Sequence, residues 1–121
     1  MNSRLVLIIE DEDTVHALCS RLLHSMGHKV ISAKTLLEGR RAVNTDKFDL
    51  IITDLKLPDG DGTELIGEFG LKQPDAKILI ITGSLAAEDY LKQSGILKKA
   101  VLLKKPFQIS EFSRIVADML V

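Results

Sequence analysis

Five short apolar runs, separated by segments of helical period, constrain the fold of this chain more than any other feature. Most of the runs are rich in valine, isoleucine and leucine without strict alternation, which is typical of strands covered on both faces. Strands that alternate with helices along a whole chain predict an α/β fold with a parallel sheet. The five predicted strands are Leu5–Ile9, Lys29–Ser32, Leu50–Thr53, Lys77–Ile81 and Ala100–Leu103.

The segments between these runs carry the helical signal. In the first segment, apolar residues from Val15 to Met26 fall on one stripe of a helix, and Gly27 follows as a stop signal. Right-handed crossovers between the strands give a doubly wound sheet with helices on both faces, and five strands favour the order 2-1-3-4-5. The further helices are predicted over Leu36–Asn44, Gly62–Leu71, Ala86–Ser94 and Ile109–Leu120.

Length, composition and charge narrow the class of protein. The 121 residues suit one domain, and 45% hydrophobic with 27% charged residues is an ordinary globular composition. The formal net charge of -1 gives no general attraction for nucleic acid or an anionic membrane. The single cysteine cannot form an internal disulfide, and no apolar run is long enough for a signal peptide or a membrane span. We therefore expect a cytoplasmic domain without direct nucleic-acid or membrane contacts.

Polar residues follow the strands at the edge where ligands bind in open parallel sheets. Glu10 and Asp11 follow the first strand, Asp54 the third, Thr82 the fourth and Lys105 the fifth. Neighbouring carboxylates repel one another unless a cation compensates, and Mg²⁺ binds such carboxylates together with phosphate oxygens. A lysine ammonium and a threonine hydroxyl complete the set. The pattern predicts a site for a phosphoryl group on Asp54.

Four stretches of the sequence resemble the receiver domain of two-component response regulators. They are LVLIIEDED, LIITDLKLPDGDG, ILIITGS and LLKKPF, in the order and at the spacing of that family. The resemblance covers essentially the whole chain and implies one receiver domain over residues 1–121 with a flavodoxin-like fold. It implies that Asp54 accepts the phosphoryl group, that Lys105 binds a phosphoryl oxygen, and that Thr82 reorients to form a hydrogen bond with it.

The same resemblance implies a metal site. Asp11 and Asp54 are expected to bind Mg²⁺ directly and Glu10 through water, with the backbone carbonyl of Lys56 as a further ligand and Mn²⁺ as a substitute for Mg²⁺. It also implies a cis peptide bond at Lys105–Pro106, a minority state for such bonds in general.

The implied function is a switch controlled by phosphorylation, not a turnover enzyme. A sensor histidine kinase or a phosphotransfer protein donates the phosphoryl group, and the chain catalyses only its own phosphorylation and a slow hydrolysis. Phosphorylation is expected to change the face formed by helix 4, strand 5 and helix 5, which includes Tyr90, Leu102 and Arg114. That face controls an output domain or a downstream protein, or it forms a phosphorylation-dependent homodimer.

Two alternatives remain open at this stage. Leu102 stands where many family members carry Tyr or Phe, which favours a receiver-like interaction module that takes no phosphate. Residues 59–63 match the nucleophile signature of haloacid-dehalogenase-type phosphatases, with Asp59 as the nucleophile. However, four residues, Leu55 to Pro58, separate Asp59 from Asp54 at the end of the third strand, so the match lies on an exposed loop.

Other polar residues near the predicted site receive simpler interpretations. Glu12 and Asp13 are interpreted as N-cap and first-turn residues of the first helix. Lys56 and Ser84 occupy variable positions that influence the loss of phosphate in the family. Cys19 is predicted to lie in the core. The three histidines are predicted at the surface or at helix ends; they are His16, His24 and His28.

Overall fold

A computed structural model describes residues 3–95 and 100–121 of the chain. Within these residues, five parallel strands form the main sheet and two short strands form a separate antiparallel hairpin. In chain order the elements are β1 Leu5–Ile9, α1 Asp13–Ser25, β2 Lys29–Ala33, α2 Leu36–Thr45, β3 Leu50–Thr53, β4 Lys56–Leu57, β5 Gly60–Asp61, α3 Thr63–Lys72, β6 Lys77–Thr82, α4 Leu85–Ser94, β7 Ala100–Lys104 and α5 Ile109–Met119.

The main sheet has the strand order β2-β1-β3-β6-β7, with every neighbouring pair parallel. Counted without the hairpin, this is the predicted order 2-1-3-4-5, and the prediction is confirmed. In the register, Ile9 lies beside Thr53 and Thr53 beside Ile80. The chain therefore leaves β1 and β3 at the same edge of the sheet, which brings the residues after these strands together.

Both faces of the sheet are covered, which explains the continuous apolar runs. Residues 6–9 of β1 are fully buried, and alternate side chains enter opposite core clusters. Leu7 packs with Phe69 of α3 in one cluster, whereas Ile8 packs with Phe112 of α5 in the other. Helices α2, α3 and α4 thus cover one face, and α1 and α5 cover the other. Burying each large apolar side chain contributes roughly 1.5–3 kcal/mol.

The helix ends follow the predicted stop signals. Gly27 after α1 and Gly95 after α4 have φ angles of 88° and 78°, the left-handed conformation that favours glycine at a helix C-terminus. The predicted cis bond at Lys105–Pro106 is present. Cys19 is 1% exposed, as predicted for a core residue, and burial raises the pKa of its thiol to about 12.

The hairpin β4–β5 is an element that the sequence interpretation missed. Pro58 and Asp59 form its turn and Gly60, with a φ angle of 141°, begins β5; the run Pro58-Asp59-Gly60 is a turn signal that could have predicted the hairpin. The hairpin lies between β3 and α3 and shapes the loop after Asp54. None of the helices in the described ranges combines the length and apolar character that a bilayer crossing requires.

Candidate functional site

The carboxylates that follow β1 and β3 meet at the sheet edge. Oxygen atoms of Glu10, Glu12 and Asp54 all lie within 4.8 Å of one another. Glu10 and Asp54 are only 3% and 7% exposed. The amide of Glu10 donates to the Ala33 carbonyl at 2.9 Å, and the amide of Asp54 donates to the Ile9 carbonyl at 3.0 Å. The sheet's own hydrogen bonds therefore fix both acids in place, as the predicted proximity requires.

Lys105 is the cation of this group. Its Nζ donates to Oε1 of Glu10, to Oε1 of Glu12 at 2.8 Å and to Oδ2 of Asp54 at 2.7 Å. An ammonium has three N–H donors, so these three carboxylates use all of them. The neighbouring Lys104 instead pairs with Glu88 at 2.9 Å. Of the two adjacent lysines, the one before Pro106 is therefore the one that contacts these carboxylates.

The Asp54 carboxylate is held at both oxygens. Its Oδ1 accepts hydrogen bonds from the amide of Leu55 at 2.6 Å and the amide of Lys56 at 3.3 Å, while Oδ2 accepts from Lys105. Gly62 approaches the Asp54 carbonyl so closely that an added Cβ would lie 3.2 Å from that oxygen. Backbone and lysine together hold this carboxylate in one orientation.

The electrostatics of the group favour a bound cation. Burial raises the pKa of Glu10 to about 7; the hydrogen bond from Lys105 lowers it, and the charge of Asp54 raises it further. Burial acts to lower the pKa of Lys105, but hydrogen bonds to Asp54, Glu10 and Glu12 outweigh burial and raise the pKa above its ordinary value. One ammonium leaves most of the carboxylate charge uncompensated. The donor set, carboxylate oxygens within bonding distance of one point, fits a hard divalent cation.

A cavity of about 350 Å³ opens beside this group. Five of the six predicted site residues line it, namely Asp11, Asp54, Lys56, Thr82 and Lys105. Glu10, the sixth, is buried and reaches the group through its bond to Lys105. Asp11 lines this solvent-accessible space beside the Asp54 carboxylate, but the group of close carboxylates consists of Glu10, Glu12 and Asp54 and does not include it.

Comparison with known proteins identifies the family. A family model described as "Response regulator receiver domain" matches residues 6–117. This chain belongs to the response regulator receiver family. The receiver is 40% identical over 107 residues to the KDP operon transcriptional regulatory protein KdpE of Escherichia coli (strain K12), covering 88% of this chain and 46% of that protein. The resemblance inferred from the four sequence stretches is confirmed.

Other relatives support the same family and fold. The receiver is 30% identical over 117 residues to the transcriptional regulatory protein GlrR of the same organism, covering 95% of this chain and 26% of that protein. The chain therefore spans between about a quarter and a half of the length of these relatives. The crystal structure of a CheY-like receiver domain protein from Methanospirillum hungatei JF-1 is 25% identical, with a TM-score of 0.88 and coverage of 98% and 94% of the two chains.

Thr82 connects the receiver cavity to helix α4. The residue is 2% exposed, and its Oγ1 accepts a hydrogen bond from the amide of Ser84 at 3.2 Å. The Ser84 hydroxyl in turn accepts from the amide of Ala87 at 3.2 Å and caps the N-terminus of α4. A displacement of the Thr82 hydroxyl would therefore act directly on the start of this helix.

Glu12 is a site residue that the sequence interpretation missed. It occupies the N-cap position of α1, as predicted, but its side chain makes no capping hydrogen bond. Its carboxylate instead contacts Lys105 and belongs to the group of acids described above. The available signal was its place directly after two acids at the strand end. Asp13 does lie in the first turn of α1, where it pairs with Lys34 at 2.7 Å.

Asp59 does not line the cavity beside Asp54, and its side chain caps helix α2. Its two oxygens accept hydrogen bonds from the amides of Leu36 at 2.8 Å and Leu37 at 3.1 Å, at the N-terminus of α2. The Thr35 hydroxyl accepts from the amide of Glu38, so these free amides of α2 are satisfied. The backbone hydrogen bond from Leu36 is the main cause that lowers the pKa of Asp59. This arrangement gives no support to Asp59 as a phosphatase nucleophile.

The predicted output face has mixed exposure. Tyr90 on α4 is 55% exposed, and Arg114 on α5 is exposed. Leu102 on β7, by contrast, is partly buried and packs against the core cluster that contains α2, α3 and α4. Leu102 therefore contributes to the core on that face of the sheet, whereas Tyr90 and Arg114 are exposed to solvent.

Proposed function

We propose that this receiver is a phosphorylation-dependent signalling switch in which Asp54 accepts a phosphoryl group from a sensor histidine kinase or a phosphotransfer protein. The observation that carries the proposal is the Asp54 carboxylate itself. It is nearly buried, it is oriented by two amides and by Lys105, and it borders an open cavity. A carboxylate in this setting is positioned to act as a nucleophile towards phosphorus.

In the proposed reaction, an oxygen of Asp54 attacks the phosphorus of a phosphohistidine. The bond from phosphorus to the histidine nitrogen breaks as the bond to Asp54 forms, and the histidine keeps the electron pair. Lys105 transfers one of its hydrogen bonds from a carboxylate to a phosphoryl oxygen and neutralises part of its charge. Thr82 reorients, and its hydroxyl donates a hydrogen bond to another phosphoryl oxygen.

The metal assignment is part of the same proposal. Asp11 and Asp54 would hold Mg²⁺ directly, Glu10 would act through water, and the backbone carbonyl of Lys56 would be a further ligand, with Mn²⁺ as a substitute. When bound, such an ion neutralises charge on the phosphoryl oxygens. Support comes from the donor chemistry of the close carboxylate group and from the cavity that Asp11 and Lys56 line.

Receiver domains are regulatory phosphoacceptors. We infer that this one, residues 1–121, catalyses only its own phosphorylation and a slow hydrolysis, in the cytoplasm.

The hydrogen bonds that link Thr82, Ser84 and Ala87 would transmit a change at the phosphorylated site to α4, and from there to the face formed by α4, β7 and α5. The two relatives described above are longer and are named as transcriptional regulators. An output domain, a downstream protein or a second copy of the chain is the proposed target of that face.

Intact-mass measurement after incubation with acetyl phosphate and Mg²⁺ tests the proposal. The wild type and the matched control Asp59→Asn, altered in the neighbouring loop, should each gain a single phosphate. Asp54→Asn should gain none, and a chelator should prevent labelling of the wild type.

An adduct that persists in Asp54→Asn would refute the assignment of the acceptor. A wild type that takes no phosphate would favour the interaction module, and steady phosphatase turnover abolished by Asp59→Asn would favour the phosphatase.

A further inference from the structure

Glu12 differs from the other two acids that contact Lys105 in its exposure. Its side chain is 58% exposed, whereas the side chains of Glu10 and Asp54 are 4% and 8% exposed. It lies at the N-cap of α1 without capping that helix. Its conformation therefore owes more to the ion pair with Lys105 than to the helix that begins beside it.

The pair of Glu12 and Lys105 also lies on a boundary between two cavities. Both residues line the cavity beside Asp54, and both line an apolar groove of about 460 Å³ between α1 and the loop after β7. Val15 and Phe107 are among the apolar residues of that groove. A phosphoryl donor that enters the Asp54 cavity therefore meets the negative charge of Glu12 at its rim.

The three hydrogen bonds of Lys105 cannot all survive phosphorylation. Its three N–H groups are engaged by Glu10, Glu12 and Asp54, so a phosphoryl oxygen gains a donor only when a carboxylate loses one. Ion pairs in buried, low-dielectric surroundings are held more strongly than exposed pairs, which are screened by water. The bond to Glu12 is the most exposed of the three and is therefore the first to be given up.

We propose that Glu12 is a positioning residue: it holds Lys105 at the rim of the resting site, and the phosphoryl group displaces it from the ammonium. This inference rests on the proposed function of Asp54. The charge of Glu12 favours binding of the cation but slows phosphorylation. The carboxylate of Glu12 attracts a divalent cation to the resting site, and the same charge opposes the arrival of an anionic phosphoryl donor.

The substitution Glu12→Gln removes the charge and keeps the size of the side chain. Calorimetric titration of the unphosphorylated protein should show Mg²⁺ affinity lowered roughly two- to fivefold, the range of an exposed ion pair. At saturating Mg²⁺, the rate of labelling by acetyl phosphate should rise by a similar factor. Both effects should shrink when the ionic strength is raised, because salt screens an exposed charge.

Two control variants separate this role from a general loss of structure. Asp13→Asn removes the adjacent acid, which pairs with Lys34 and not with Lys105, and should leave both quantities unchanged. Glu12→Asp keeps the charge and should retain most of the wild-type Mg²⁺ affinity. Melting temperatures of all variants should agree closely, since the substituted side chains are exposed.

The outcomes distinguish this inference from the proposed function. If the wild type is labelled on Asp54 and Glu12→Gln shows unchanged values, or values that both fall, the role of Glu12 is refuted while the acceptor assignment stands. If neither protein is labelled, the proposed function and this inference fail together. Opposite shifts in Mg²⁺ affinity and labelling rate, restricted to Glu12→Gln, are the result that supports it.

Discussion

Two neighbouring lysines at the end of β7 take part in ion clusters of opposite design. Lys105 is a single cation among three carboxylates, and we call Glu10, Glu12, Asp54 and Lys105 the acidic cluster. In the second cluster, a single carboxylate, Glu88 of α4, lies between Lys92 and Lys104, each at 2.9 Å; we call these three residues the Glu88 cluster. The two lysines are adjacent in sequence, but the charge balance of their clusters is reversed.

The difference lies in whether the surroundings of each acid favour or oppose its charged form. Hydrogen bonds from Lys104 and then Lys92 lower the pKa of Glu88, so the native contacts favour its charged form. Burial raises the pKa of Glu10, so the fold holds that acid at a cost when no cation is bound. Ionisable groups kept in unfavourable surroundings are typical of functional sites. The Glu88 cluster instead joins α4 to β7 as an ordinary structural contact.

The largest expected effect separates the two lysines. Lys105→Met should slow labelling by acetyl phosphate roughly 100-fold, as is typical when a donor to developing negative charge is removed. Lys104→Met should leave the labelling rate nearly unchanged, because its ammonium contacts Glu88 and not Asp54. Intact-mass time courses measure both. Equal losses in the two variants would show that the clusters do not differ in function.

Metal binding should stabilise the protein through Asp11 and the acidic cluster, and not through the Glu88 cluster. Mg²⁺ at 100 times its dissociation constant should add about 2.7 kcal/mol to the free energy of unfolding, because it binds the folded state. Asp11→Asn should remove most of this gain, whereas Glu88→Gln should retain it. Thermal melts with Mg²⁺ and with a chelator measure the gain. A full Mg²⁺ response in Asp11→Asn would refute the assignment of Asp11 as a direct ligand.

A smaller effect is expected on the metal-free protein, and its sign should differ between the clusters. At pH 8 with a chelator, Glu10→Gln should raise the melting temperature by a few degrees, because it removes a buried charge repelled by Asp54. Glu88→Gln should lower it, because Lys92 and Lys104 lose their shared partner. Calorimetric melts at matched ionic strength make the comparison. A destabilised Glu10→Gln would mean that its bond from Lys105 outweighs repulsion and burial.

The sequence predicted the elements of the fold well because their signals are local. The apolar run of β1, the stripe of α1 and the stop at Gly27 each depend on residues a few positions apart. The proximity of Glu10 and Asp54 was also predictable, because parallel strands in the order 2-1-3-4-5 end at one edge. Local sequence signals gave the strands, and the strand order then predicted which residues lie together.

Apart from the hairpin β4–β5, whose turn signal is local, the missed features depend on contacts between distant parts of the chain. Glu12 and Lys105 are 93 residues apart, and their ion pair forms only when the sheet places the ends of β1 and β7 near each other. Asp59 caps α2 from 23 residues away, so a cap search within the helix's own sequence could not find it. The Glu88 cluster likewise needs the placement of α4 on β7. Local patterns carry no information about such pairings.

The smallest expected effect is a pH dependence carried by Glu88. Because its folded pKa is lowered, its ionised form contributes stability that is present above the ordinary value of 4.5 and is lost as the pH falls through the lower folded value. The gap in melting temperature between the wild type and Glu88→Gln should therefore be constant near neutral pH and should close in acid. Melts of both proteins from pH 7 down to below pH 4.5 measure that gap, with a chelator present so that metal release does not contribute. A gap that stays open in acid would assign the effect of the substitution to packing around α4, and the contrast between the two clusters would then no longer be one of charge.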